Sequence, residues 1–150
     1  MPFLTWNDKY AVDVVEIDEQ HRHLFRLTND FHDALTIGTA KKNLGDALDA
    51  LVDYAREHFI SEEKLMGACA YPELAHHKIE HDRLTREALD FRKRFVEGKP
   101  VSTLEFARFL SEWLVRHIIV MDKKIGIYMK AGGAKLTLKH DITVDVTNNL

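Results

Sequence analysis

Seven residues of metal-binding type recur along this chain at telling intervals: His21, His58, Glu62, His77, His81, His117 and Asp122. Five imidazoles and two carboxylates exceed what one ion usually takes and suit a pair. Imidazole combined with carboxylate points to iron, zinc, manganese or copper. His58 and Glu62 stand four residues apart, as do His77 and His81, so on a helix each pair shares a face and can address one point. Either pair alone is ordinary, because such spacings arise by chance on solvated faces. What gives them weight is the set of elements that must carry them.

Four stretches show helical apolar periodicity, from about Asp18 to Thr36, Asn43 to Met66, Pro72 to Glu97 and Thr103 to Lys130. Gly38-Thr39, the run Gly67 to Pro72, and Gly98-Lys99-Pro100 punctuate them, and Gly132-Gly133 ends the last. Pro72 is placed as an early residue of the third helix. Ser102 is the expected N-cap of the fourth, with Glu105 in capping-box position. Four long helices with short connections describe an all-α, up-down-up-down antiparallel bundle.

Antiparallel helices bring residues equidistant from a turn to the same height. The midpoint of His21 and His58 lies between Thr39 and Ala40, and that of Glu62 and His77 between Cys69 and Ala70. His58 and His81 share the latter midpoint, and His81 and His117 are centred on Lys99. Three separate turns therefore place all four helices' candidates in one layer. Polar groups gathered inside an apolar bundle must be paired, because an unpaired buried ionisable group costs several kcal/mol. Metal coordination would satisfy them together. His23, His32, His76 and His140 have no partner at that height and are expected to be bystanders, with His76 at the surface or just behind the ligands.

One interval does not fit a regular helix. His117 and Asp122 are five residues apart, which on an α-helix separates them by about 140°. Either Asp122 reaches in from the edge of the stripe or the helix widens locally into a π-type turn, a distortion that gathers at functional sites. The expectation is a distortion between these two residues.

The remaining composition is that of one soluble domain. The chain has 150 residues, 45% apolar and 30% charged, with a formal charge of −3, which offers no basic stripe for nucleic acid or an anionic membrane. No apolar run approaches a membrane span, and Met1 to Tyr10 lacks a signal-peptide pattern, so a cytoplasmic home is expected. Cys69 is the only cysteine, which excludes an internal disulfide and reads as a small buried hydrophobe. Residues 1–17, with Phe3, Trp6, Tyr10 and Val12, read as an ordered arm over the bundle. The tail alternates apolar and polar at Leu136, Leu138, Ile142, Val144 and Val146, which suggests short strands, one reading being a hairpin turning near His140-Asp141. A lone hairpin is marginal, so it is expected to pack on the bundle or on another chain.

As they stand, Ile17-Asp18-Glu19-Gln20-His21, His58-Phe59-x-x-Glu62-Glu63, Tyr71-Pro72 with His77-x-x-x-His81, and His117-Ile118-x-x-x-Asp122 resemble the hemerythrin pattern, and Trp6 also fits. The resemblance covers roughly residues 1–131, is strongest to the single-domain bacterial members, and leaves residues 132–150 as an extension. It implies a non-haem di-iron centre with a bridging hydroxide or oxide. His77, His81 and His117 would bind one iron, His21 and His58 the other, and Glu62 and Asp122 would bridge both. Five nitrogens, four carboxylate oxygens and two bonds from the bridge fill eleven of the twelve positions of two octahedral irons. The open position falls on the iron with two histidines, where dioxygen would bind. Leu24, Phe25, Phe59, Trp113, Leu114 and Ile118 are the candidate walls of that oxygen pocket.

The resemblance thus implies a dioxygen-binding protein for storage, transport or delivery rather than an enzyme. Two alternatives stand beside it: a di-iron oxidase, peroxidase or nitric-oxide-handling enzyme, and an oxygen or redox sensor signalling through the tail. Oxygen-activating bundles favour carboxylates and Glu-x-x-His spacing, which does not link these seven residues. Besides dioxygen, a protein acceptor of oxygen or a second copy met through the tail is the partner to consider.

Overall fold

Apolar residues at three- and four-residue intervals wind the first long segment into α1, Val15–Thr36, which buries Ile17, Leu24, Phe25 and Phe31 along one face with His21 among them. The structure, a computed structural model, describes residues 2–38, 41–132, 136–138 and 142–144. α2 spans Lys41–Ala68 and α3 Leu74–Val96. The fourth rod of the bundle, 103–130, is one continuous helical stretch in four parts. These are α4, Thr103–Leu110; a π-helical stretch, Ser111–Arg116; a second, Ile118–Asp122; and α5, Lys123–Lys130. The antiparallel four-helix bundle read from periodicity is the architecture observed.

Helix ends follow local chemistry. Ser102 caps the fourth rod by accepting the Glu105 N–H at 3.0 Å. The reciprocal half of the capping box is not made, because the Glu105 carboxylate pairs with Arg94 on the last turn of α3. Pro72 lies in the turn before α3 rather than within it. The Tyr71 N–H closes α2 by donating to the Met66 carbonyl at 2.9 Å, and Ala70 adopts a left-handed φ of 52°.

Two apolar clusters fill the bundle. The larger joins Leu24, Phe31, Leu48, Leu84, Phe106 and Leu110. The smaller, near the α2–α3 turn, is built on Met66, Cys69, Tyr71, Ile125 and Met129. The seven polar candidates lie between the two, so they form a layer sealed at both ends by hydrocarbon. Cys69 is fully buried, as a small hydrophobe would be.

The N-terminal arm is ordered and fastened at several points. Leu4 N–H donates to Asn29 Oδ1 at 2.7 Å, and Asn29 Nδ2 returns a bond to the Leu4 carbonyl at 2.8 Å. Tyr10 and Val12 are buried. The Asp18 carboxylate on α1 accepts the N–H groups of Val12 and Asp13, at 2.8 and 3.1 Å, and Asp13 pairs with Lys130. Gly126 receives the arm so closely that a Cβ there would lie 1.8 Å from the Val12 carbonyl oxygen.

In the tail, strands β1, Leu136–Leu138, and β2, Ile142–Val144, pair antiparallel, with Thr137 opposite Thr143. β1 runs beside α2. The proposed turn at His140-Asp141, with Gly133 and Val146, lies outside the described residues. No helix among the described residues is long and apolar enough to cross a membrane.

Candidate metal centre

The candidate ligands arrive from all four rods. His21 comes from α1, His58 and Glu62 from α2, His77 and His81 from α3, and His117 and Asp122 from the π-helical region of the fourth rod. All seven are at most 5% exposed. The five-residue interval is absorbed as the sequence suggests: the Lys123 N–H donates to the Ile118 carbonyl, one residue further back than in an α-helix. That wide turn carries Asp122 round to the face of His117. The preceding wide stretch, Ser111–Arg116, has no spacing signature of its own and was not anticipated.

Their donor atoms form two overlapping groups, each within 4.8 Å: Glu62, His77, His81, His117 and Asp122 in one, and His21, His58, Glu62 and Asp122 in the other. The two carboxylates belong to both, and each divides its oxygens between them. Glu62 turns Oε1 to His77 and His81, at 2.9 and 3.1 Å, and Oε2 to His58 at 3.3 Å. Asp122 turns Oδ1 to His117 and His77, at 2.9 and 3.0 Å, and Oδ2 to His21 at 3.1 Å.

These approaches are close, yet both oxygens of Glu62 and Asp122 and the Nε2 atoms of His77, His81 and His117 have no aligned hydrogen-bond partner. Buried acceptors without partners are costly. Lone pairs aimed at common points rather than at one another are what a metal ion would satisfy. The residues fit a non-haem metal site.

A family model described as the hemerythrin HHE cation binding domain matches residues 12–126. The chain belongs to the hemerythrin family. It is 36% identical to the bacteriohemerythrin of Methylococcus capsulatus over 132 residues, covering 87% of this chain and all of that one. It is 34% identical to the bacteriohemerythrin of Stenotrophomonas maltophilia, covering 87% of this chain and 84% of the relative. A wild-type hemerythrin crystal structure superposes with a TM-score of 0.77 at 37% identity, over 83% of this chain and 95% of that one. The hemerythrin bundle is thus present.

Charge in this hemerythrin layer is balanced by protons when no cation fills it. Burial raises the Glu62 carboxyl, and so does the Asp122 charge, but His58, His77 and His81 prevail and hold it well below the usual range. Asp122 is likewise held low, against burial, by His117, His21 and His77. Burial disfavours a charged His77, yet Asp122 and Glu62 push it up to about 9. A metal must displace that proton. Apparent affinity should therefore rise by about tenfold per pH unit for each proton released, and level off as pH passes about 9. Zinc titrations by calorimetry between pH 6.5 and 8.5 test this, and a flat profile would contradict it.

A cavity of about 10 Å³ lies against His21, His58 and His117, walled by Leu24, Phe59, Trp113, Leu114 and Ile118. That volume is about one water molecule's worth. Phe25, though buried, is not in the wall: its ring packs edge-on against Trp6 and Tyr10, at 5.3 and 5.0 Å, beneath the arm. The other histidines stand apart from the layer. His76 is exposed, His23 lies against Tyr54 and His32 stacks on Phe3. His140 is outside the described residues. Reasoning from sequence missed the outer partners of two imidazoles, Gln20 on His58 and Glu63 on His81. Each is adjacent in sequence to a candidate ligand, which is the signal that would have found them.

Proposed function

We propose that this chain binds dioxygen reversibly at a non-haem di-iron centre, for storage, transport or delivery, with residues 1–131 as the functional unit. The relatives' name, bacteriohemerythrin, supports the reading. The observation that carries it is the pairing of two carboxylates that each face both ion positions with a small apolar cavity beside the position that has fewer imidazoles. In this reading His77, His81 and His117 would hold one iron, His21 and His58 the other, and Glu62 and Asp122 would be shared between them. A di-iron group held there would supply the reversible two-electron chemistry that dioxygen binding needs.

The protein's own contribution is to hold that chemistry dry and reversible. Leu24, Phe59, Leu114 and Ile118 exclude water from the cavity, and its wall contains no acid, base or nucleophile apart from the histidines themselves. So small an apolar cavity suits a ligand of two or three atoms better than an organic substrate, which favours a carrier over an oxidase.

Anaerobic loading with ferrous iron followed by repeated cycles of air and argon tests the proposal. The oxygenated spectrum should return in every cycle; one-way oxidation in the first would overturn the carrier reading. Leu24→Ala, which empties a fully buried position in the wall, should cost about 3 kcal/mol of stability and speed exchange of small ligands. Stopped-flow azide binding to the oxidised protein reads the second effect.

A further inference from the structure

The imidazoles of the layer do not share the same outer surroundings. His58 Nδ1–H donates to Gln20 Oε1 at 2.6 Å. The Gln20 amide is turned that way because its Nε2 donates to Ser61 Oγ at 3.1 Å, and the Ser61 hydroxyl donates in turn to Glu16 at 3.2 Å. On the other side of the layer, His81 Nδ1–H donates to the Glu63 carboxylate at 3.3 Å. The Nδ1 atoms of His21 and His117 are buried without partners. One group of ligands is therefore backed by a neutral amide and the other by an anion.

That difference has a chemical consequence. A carboxylate accepting an imidazole N–H draws its proton outward and makes the opposite nitrogen a stronger donor to a metal; an amide carbonyl fixes the same tautomer without adding charge. We propose that Glu63 and Gln20 are positioning residues that make the two ion positions unequal. Glu63, through His81, strengthens the ion of the three-histidine group and favours its oxidised state. Gln20, through His58, orients its ligand but leaves the two-histidine ion electron-poor, and so receptive to an exogenous ligand. This rests on the di-iron reading above.

Exchanging the two acceptors tests it in the full-length, iron-loaded protein. Glu63→Gln should let one of the two irons leave to a chelator about tenfold faster, with the other unchanged, and should raise the midpoint potential. Gln20→Glu should move the potential the opposite way and weaken azide binding to the oxidised protein. Both side chains are only half-buried, so neither exchange opens a cavity in the core. The double variant should reverse the order in which the irons depart. Equal effects on both irons, or potential shifts of the same sign in the two single variants, would overturn the inference. Wild-type protein that retains fewer than two irons would sink the di-iron reading and this one together. Two irons that depart alike in every variant would sink this one alone.

Discussion

Glu62→Ala should leave the protein unable to retain either metal ion through desalting, the largest functional effect expected of any single substitution. The reason is geometric. Glu62 is the one residue of α2 that faces both groups, with Oε1 toward His77 and His81 and Oε2 toward His58. Truncation would take a donor from each position at once, where His117→Ala takes one from a single position. Loss of groups that merely hydrogen-bond to ligands already costs metal affinity about 10–100-fold, so loss of a shared ligand should exceed that range. A second effect adds to the first: with Glu62 gone, the remaining buried imidazoles lose a counter-charge, and the metal-free layer becomes less favourable too. Metal analysis after desalting, set beside far-ultraviolet circular dichroism to show that the bundle persists, reads the outcome. Two ions per chain in a folded Glu62→Ala protein would remove the basis for the assignment.

Gly126→Ala should destabilise the protein as much as emptying the Leu24 position, although helix propensity argues the other way. An alanine inside a helix ordinarily gains about 0.5–1 kcal/mol over glycine. At Gly126 the added methyl would stand 1.8 Å from the Val12 carbonyl oxygen, so the arm must lift away. Lifting it withdraws the Val12 and Asp13 N–H groups from Asp18 and parts Asp13 from Lys130. A net loss of about 3 kcal/mol, and a fall in Tm of roughly 6–12 °C, is the expected result. Gly45→Ala is the control, since a Cβ at that helical position meets only Phe95 at an ordinary 3.5 Å. It should be neutral or slightly stabilising. If the two variants melted together, the arm's seat on Gly126 would not matter to the fold.

Much of this architecture was legible because its determinants are local or symmetric. Four-residue spacing places His58 with Glu62 and His77 with His81, and turn midpoints level the four rods without knowledge of any contact. The wide turn before Asp122 was legible for a different reason: the five-residue gap contradicts a regular helix. The stretch at Ser111–Arg116 contains no such contradiction, and nothing local distinguishes it from ordinary helix. Phe25 is a candidate for the cavity wall by its apolar type, whereas its ring packs on Trp6 and Tyr10 of the arm, a placement that local sequence does not encode. Gly126 carried a usable hint, a glycine inside a helical pattern with no turn nearby. What it meets there depends on where the arm lands, and arm docking has no periodicity to read. Pro72 shows the ordinary uncertainty of a helix start, since the same residue type serves the turn just outside it.

The wide turn between His117 and Asp122 also sets the phase of everything that follows it. A residue gained or lost in a helix rotates the downstream part by about 100° relative to the upstream part. Gly126 lies one turn beyond Asp122 and Lys130 one turn beyond that, so the seat for the arm is timed by the same extra residue that aims the carboxylate. Shortening that stretch by one residue would misdirect Asp122 and swing Gly126 away from Val12 in a single stroke. The donor layer and the arm's berth are geared to one another, and loss of one residue between His117 and Asp122 would disturb both.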